Sequence, residues 1–320
     1  MEGLDLSAVT APGPSLEGEI TTLLHRTSDA RDHPALGEQK RLALLQASEN
    51  GTASGHGHLF LGLVARRAGR PGLCGYAQID GRTSRRAYAV ELAVDPAAEE
   101  RGKVAEALLS AAIDEVQTRG GGSLRFWASK ASPDDDALAS TLGFGVERDL
   151  VQMRCPLPVP EQLAAKRTLA IRTRPFQPGH DEAAWLTANN RAFSAHPEQG
   201  MWELSRLVER EREPWFDPAG FLLLEEEGRL AGSCWTKVHA GTNPPMGEIY
   251  VIGVDPDFQG RGFGRALTLA GLEWLAGHGL RTGMLYVDGD NTSAMSMYRS
   301  MGFTEDHIDR AYLAQLDPPE

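Results

Sequence analysis

Residues 259–265 read Gln-Gly-Arg-Gly-Phe-Gly-Arg, and those residue types suit the grip of a diphosphate. The run follows a β-branched stretch from Ile249 to Val254 and an Asp255-Pro256 turn, and it opens an apolar segment of helical spacing. Glycines at 260, 262 and 264 let the backbone bend until successive N–H groups point one way. The helix that follows begins with four N–H groups lacking intrahelical partners and with the positive end of its dipole. Arg261 and Arg265 add charge, so the segment predicts a pyrophosphate cradle. Rival motifs fail on spacing. A dinucleotide fingerprint requires glycine where Arg265 stands, and the chain has no GxxxxGK[ST].

A damaged copy of this unit lies 160 residues upstream. Subtracting 160 takes Val254, Asp255, Pro256, Arg261 and Gly262 onto Val94, Asp95, Pro96, Arg101 and Gly102. In that copy Glu99 and Glu100 put carboxylates where phosphates would sit, and Val104 replaces the last loop glycine. The chain therefore reads as a tandem repeat whose first half is expected to do no chemistry and to bind a phosphate ligand weakly or not at all.

The elements that must position the loop recur in the same order in both halves. Helices are expected over 36–48 and 181–193, and strands over 59–64 and 221–224, then 72–79 and 230–238. After the strand–loop–helix come strands 123–128 and 283–288, short helices ending at Phe144 and Phe303, and final strands 146–153 and 307–316. The pattern predicts two duplicated α/β domains with mixed sheets. Three prolines between Pro156 and Pro160 stiffen a connector. The domains are accordingly expected at 1–158 and 169–320, with a linker at 159–168 and a new strand around Leu169 to Arg172.

Composition narrows the function classes. A chain of 320 residues suits two domains of about 150 each. Its formal charge of -12 argues against a broad nucleic-acid footprint. No apolar run is long enough to span a membrane, and the acidic start lacks the regions of a signal peptide. Cys74, Cys155 and Cys234 have no metal-ligand or disulfide spacing, so no metal and a reducing cytoplasm are expected. His56 and His58 sit in a Gly-rich hairpin turn rather than a metal site. Cys234, in an apolar strand, reads as a packing residue.

The Gln259–Gly264 loop resembles the Q/R-x-x-G-x-G/A loop of the GNAT acetyltransferases, which binds the pyrophosphate of acetyl-CoA. The segment DNTSAMSMYRSMGF resembles the same family's last motif, with Asn291 at a helix start and Tyr298 two turns later. Over most of the chain the resemblance narrows to a tandem-repeat branch, the mycothiol synthases. It is carried by Gly37-Glu38-Gln39, His196 to Gly200, Trp235 to His239, Gly247 to Val251 and Leu285 to Val287.

That resemblance implies two tandem GNAT domains and transfer of acetyl from acetyl-CoA to the cysteinyl amine of cysteinyl-glucosaminyl-inositol. It implies acetyl-CoA contacts along Ile252, Gly253 and Val254, through Gln259, Gly260, Arg261, Gly262, Phe263, Gly264 and Arg265, and at Asn291, Thr292, Ser293, Ala294, Met295 and Ser296. Substrate contacts carry over to Glu38, Glu198, Lys237, Glu248 and Tyr286. A cysteine α-amine has a pKa of about 8, so a base must remove its proton, and Glu248 is assigned that role. Tyr298 is assigned the reprotonation of the leaving thiolate. Tyr88 and Ala139 occupy the corresponding places in the first half. A monomer with a small-molecule amine as its partner is expected. Two other readings fit the same residues: a tandem GNAT acting on another amine, and a non-enzymatic acyl-CoA-binding regulator that needs neither Glu248 nor Tyr298.

Overall fold

The computed structural model describes residues 3–31, 33–50, 58–164, 169–194 and 200–319. The chain runs β1 (Leu4–Val9), α1 (Pro14–Arg31), α2 (Glu38–Asn50), β2 (His58–Arg67), β3 (Gly75–Arg82), β4 (Ala87–Val94), α3 (Arg101–Thr118), β5 (Gly122–Ala128), α4 (Pro133–Thr141) and β6 (Gly145–Pro156). It continues through α5 (Glu161–Ala164), β7 (Thr173–Pro175), α6 (Glu182–Ala192), α7 (Leu204–Glu211), β8 (Phe221–Glu226), β9 (Arg229–His239) and β10 (Met246–Val254). The last elements are α8 (Phe263–Gly277), β11 (Thr282–Asp288), α9 (Thr292–Ser300) and β12 (Thr304–Leu316).

The elements form two compact units, and the chain passes between them twice. Unit 1 is Met1–Leu150 with His307–Glu320, and unit 2 is Val151–Asp306. The Pro-rich segment is thus not where the chain leaves unit 1: β6 crosses at Leu150, and β12 returns at His307. Residues 169–172, expected as a strand, carry no regular structure, and the strand begins at Thr173. A short helix, α5, stands within the expected linker.

Unit 1 is a mixed sheet in the order β1-β2-β3-β4-β5-β12, parallel only between β4 and β5. Alternation along its strands sends side chains to two cores. Ala77, Ile79 and Val90 pack with α3 residues Val104, Leu108 and Ala112. Tyr76, Phe60 and Val64 pack instead with α1 and α2 through Ile20, Leu23, Leu24 and Leu44. The buried positions of α1 fall at 20, 23, 24 and 27, the spacing of one helical face.

Unit 2 repeats the plan in the order β6-β11-β10-β9-β8-β7. One sheet face carries an aromatic core of Phe176, Trp185, Trp202, Phe221 and Trp235 beneath α6 and α7. Trp235 stacks on Phe221 at 4.4 Å, and Phe221 stacks on Phe176 at 4.4 Å. The other face packs on α8, whose Gly271 lies against Cys234 and Ile249; a Cβ there would come within 2.5 Å of Cys234 Sγ. Cys234 is therefore a packing residue, and burial pushes its thiol up to about 12.

Candidate active site

The site is built where β10 leaves β11. Their parallel pairing covers only Gly247–Ile249 against Gly283–Leu285. Beyond it β10 continues to Val254, held on its other edge by Ile252↔Cys234, Gly253↔Ser233 and Val254↔Gly232. A bulge at Tyr250 accompanies the parting, since Ile249 pairs with Thr236 and Val251 with Trp235. The extra residue sends both Tyr250 and Val251 toward the aromatic core. The edge of β10 beyond Ile249 thus offers backbone donors and acceptors to an extended ligand, in the manner of an added strand. Ile252, Gly253 and Val254 are all partly exposed there. A side chain at 253 would press on Ala192 and Phe193 at the end of α6.

Glu248 stands just before the bulge, 7% exposed. Its Oε2 meets His239 Nε2 at 2.7 Å. Strand alternation puts Lys237 and His239 on one face, with Lys237 directly opposite Glu248. The Lys237 ammonium lies over the Trp215 ring at 4.3 Å and the Tyr250 ring at 5.1 Å. Arg210 Nε donates to the Tyr250 hydroxyl at 3.0 Å. A carboxylate, an imidazole and a cation thus converge among aromatic walls. Tyr286, on neighbouring β11, accepts from Gln152 Nε2 at 2.7 Å. Glu38 opens α2 in unit 1, half-buried. Glu198 lies outside the described residues.

The loop has the backbone that its glycines predict. Gly260 and Gly262 sit at φ +76° and +88°, the left-handed region that side chains disfavour. Gly262 is the N-cap of α8 and no side chain caps it, so the first-turn N–H groups face outward for an anion. Gly264 has open space around its Cα, with Met297 Sδ 4.0 Å from a built Cβ. The arginines are less dedicated to phosphate than the sequence suggested. Arg261 pairs with Glu227 at 3.0 Å, and Arg265 donates to Ser300 Oγ and to the Leu163 carbonyl at 2.9 and 2.6 Å. Behind the loop the buried Asp255 carboxylate loses solvation, yet Arg191 at 2.8 Å holds it below its usual range.

Asn291 is the N-cap of α9, its side chain accepting from Ala294 N–H at 3.1 Å. Tyr298 is buried against Phe303, with ring centroids 5.6 Å apart. Burial and the nearby Cys234 push its phenol up, so it is held neutral. Its hydroxyl makes no hydrogen bond to another described residue. Tyr298 approaches from the Cys234 side of the sheet and Glu248 from the aromatic side.

Unit 1 keeps the plan, an unpaired β4 edge at Leu92–Val94 included, without the bulge or the charged and aromatic side chains beside it. β4 stays paired with β5 over Ala87–Glu91 and with β3 in unbroken register. Because Tyr250 adds a residue to β10, subtraction by 160 slips by one in the antiparallel pairing. Glu248 stands opposite Lys237 as Ala89, rather than Tyr88, stands opposite Asp80. The loop is also shorter than subtraction implied. Glu100 caps α3 at φ 55° where Gly262 caps α8, so Gly102, not Val104, takes the place of Gly264. Val104 lies in the core. Ala139 does occupy the α4 position of Tyr298, seven residues after its N-cap Ser132. Sequence reasoning assigns His239 no role; its spacing of two from Lys237 is the available signal. The Tyr250 bulge has none.

No helix among the described residues is long and apolar enough to cross a membrane. Comparison with known proteins identifies the fold and the family. The model of the acetyltransferase (GNAT) family matches residues 183–303. A GCN5-related N-acetyltransferase from Sphaerobacter thermophilus superposes with TM-score 0.71 at 23% identity, over 98% of this chain and 97% of that one. A tandem GNAT protein from the clavulanic acid biosynthesis pathway gives TM-score 0.71 at 17% identity, over 99% and 100%. These two likenesses establish the fold, a tandem GNAT. The mycothiol acetyltransferase of Thermobispora bispora is 48% identical over 69% of this chain and 74% of its own. That of Streptomyces avermitilis is 41% identical over 97% of this chain and 95% of its own. The chain is a GNAT acetyltransferase with acetyl-CoA as its acyl donor, and it belongs to the mycothiol acetyltransferase family.

Proposed function

We propose that unit 2 transfers the acetyl group of acetyl-CoA to the cysteinyl amine of cysteinyl-glucosaminyl-inositol, giving mycothiol and CoA, with Glu248 as general base and Tyr298 as general acid. The observation that carries this reading is a buried carboxylate, pinned by an imidazole, beside the point where β10 and β11 part. His239 fixes Oε2 of Glu248, which leaves Oε1 to take the ammonium proton directly or through one water. Lys237, Glu248 and Tyr286 then offer donors and an acceptor suited to an ammonium and to sugar hydroxyls.

The β10 edge at Ile252–Val254 pairs with the amide arm of the coenzyme, and one N–H there meets the thioester oxygen as charge builds on it. Such a donor contributes a few kcal/mol to the transition state. The Gly260–Arg265 backbone holds the diphosphate, with the residues from Asn291 to Ser296 beside it. Tyr298, kept neutral by its burial, gives its proton to the departing sulfur. Glu248 and Tyr298 act from opposite faces of the sheet, and the gap beyond Ile249 is where their reach overlaps. Holding amine and thioester together supplies much of the remaining acceleration.

Steady-state turnover of the parent and of Glu248→Gln, on cysteinyl-glucosaminyl-inositol and on an aminoglycoside, tests the reading. It expects strong preference for the cysteinyl amine and near loss of turnover in the variant. Equal turnover of both amines by the parent would reject the substrate assignment.

A further inference from the structure

We propose that unit 1 carries a binding site for a divalent transition metal, fitted to Zn2+, formed by His33, His307 and Asp309. His33 lies in the segment joining α1 to α2, while His307 and Asp309 stand two residues apart on β12 and so share a face. Asp309 spans the two imidazoles: Oδ1 lies 3.4 Å from His307 Nε2, and Oδ2 lies 3.8 Å from His33 Nε2. One ligand atom from each of the three residues can be chosen so that all lie within 4.8 Å of one another. Tetrahedral zinc with bonds of about 2.1 Å spaces its ligands by roughly 3.4 Å, so small side-chain rotations close the site.

The three side chains are 8%, 8% and 13% exposed, which removes them from the class of solvated surface histidines. Their rings meet edge to face, with centroids 4.7 Å apart and planes at 89°, rather than lying flat on each other. The surrounding bonds orient the ligands. His33 Nδ1 donates to the Pro34 carbonyl at 3.0 Å, which leaves the Nε2 lone pair for the metal. The Lys130 backbone N–H holds Asp309 Oδ1 at 2.8 Å. The Lys130 ammonium reaches the Arg31 carbonyl at 2.7 Å. Two imidazoles and a carboxylate without thiolate suit zinc, and three protein ligands leave the fourth position to water. Bound metal ties β12 to the α1–α2 segment, and acetyl transfer assigns no role to any of the three side chains.

The test uses the full-length protein stripped with chelator. Zn2+ is titrated in competition with a chromogenic chelator, and Co2+ substitution is read by visible absorption. The expected result is one zinc per chain, tetrahedral Co2+ bands, and a Tm raised by a few degrees in excess zinc. His33→Gln and His307→Gln are each expected to weaken binding by about 100-fold or more, while His278→Gln, at an exposed helix end, leaves it unchanged. If the parent binds no more zinc than the His33→Gln variant, or gives only octahedral Co2+ spectra, the proposal is overturned. The Co2+ spectrum of the parent decides the matter even if a variant fails to fold.

Discussion

In unit 2, β10 takes a bulge and leaves β11 after Ile249; in unit 1, β4 runs unbroken beside β5 to Glu91. The following loops diverge in the same sense. Both helices are entered through a residue in the left-handed region, but that residue is Gly262 in one unit and Glu100 in the other. One position earlier, Arg261 reaches back to Glu227 on the preceding hairpin, whereas Glu99 reaches back to Arg67 and Arg70. The cross-loop ion pair has kept its place and reversed its sign. In unit 2 the α8 start has no side-chain cap, as the proposed diphosphate site requires. The α3 start in unit 1 is equally uncapped by side chains, but Glu99 and Glu100, paired with Arg67, Arg70 and Lys103, set negative charge beside it. The two units thus share the fold, an open strand edge and an uncapped helix start, and differ in the charge at that start and in the side chains beside the edge.

The largest effect that would sharpen this contrast is at Glu248. Glu248→Ala should lower kcat by two to four orders of magnitude (~100- to 10,000-fold) with the fold intact, while Tyr88→Phe in unit 1 leaves kcat within about twofold. A loss below threefold at Glu248 would remove it from the mechanism. Tyr298→Phe should slow kcat by roughly 10- to 100-fold with coenzyme affinity nearly unchanged, because the phenyl ring still packs on Phe303. Next comes the loop: Gly262→Ala, strained at φ +88°, should raise the KM for acetyl-CoA by about tenfold. Glu100→Gly should leave that KM unchanged; a fall would mean that unit 1 contributes to coenzyme binding.

The smallest expected effect is in pH-dependent stability, where the units differ in sign. Burial pushes Glu91 in unit 1 up to about 7, against the opposing pull of Lys40. Its folded value exceeds the unfolded one near 4.3, so its contribution is fully present below that pH and is lost as pH rises toward 7. Asp181 in unit 2 is held far down, chiefly by Arg174 at 2.6 and 2.9 Å. Its contribution is present above about 3.9 and is lost as pH falls through the folded value. Urea titrations of Glu91→Gln between pH 4.5 and 7 should show a flatter stability profile than the parent. An unchanged profile would place Glu91 in solvent.

Much of this was legible in the residues. The glycine loop, the repeat and the succession of most strands along the chain followed from spacing, and the place of Tyr298 on α9 followed from its distance to Asn291. What escaped the sequence depends on pairing. One extra residue at Tyr250 leaves no mark in the pattern, yet it shifts the equivalence of Glu248 from Tyr88 to Ala89. The shorter first loop hid behind Gly102, which matched a loop glycine by number but lies inside α3. α1 was readable, since Ile20, Leu23, Leu24 and Thr27 form one stripe, though its polar residues dilute it. The passage of β12 back to unit 1 has no local signal, because strand partners are chosen across more than 170 residues, as Arg310 pairs with Ala128.

The central claim, that the coenzyme is gripped by the second loop and not the first, is tested most directly by calorimetric titration of the whole chain with acetyl-CoA, backed by a crystal soaked in it. The account predicts one molecule per chain, its diphosphate against the backbone of Gly260 to Arg265, and binding about tenfold weaker in Gly262→Ala. Two molecules per chain, or a single one seated beside Glu99 and Glu100, would contradict it.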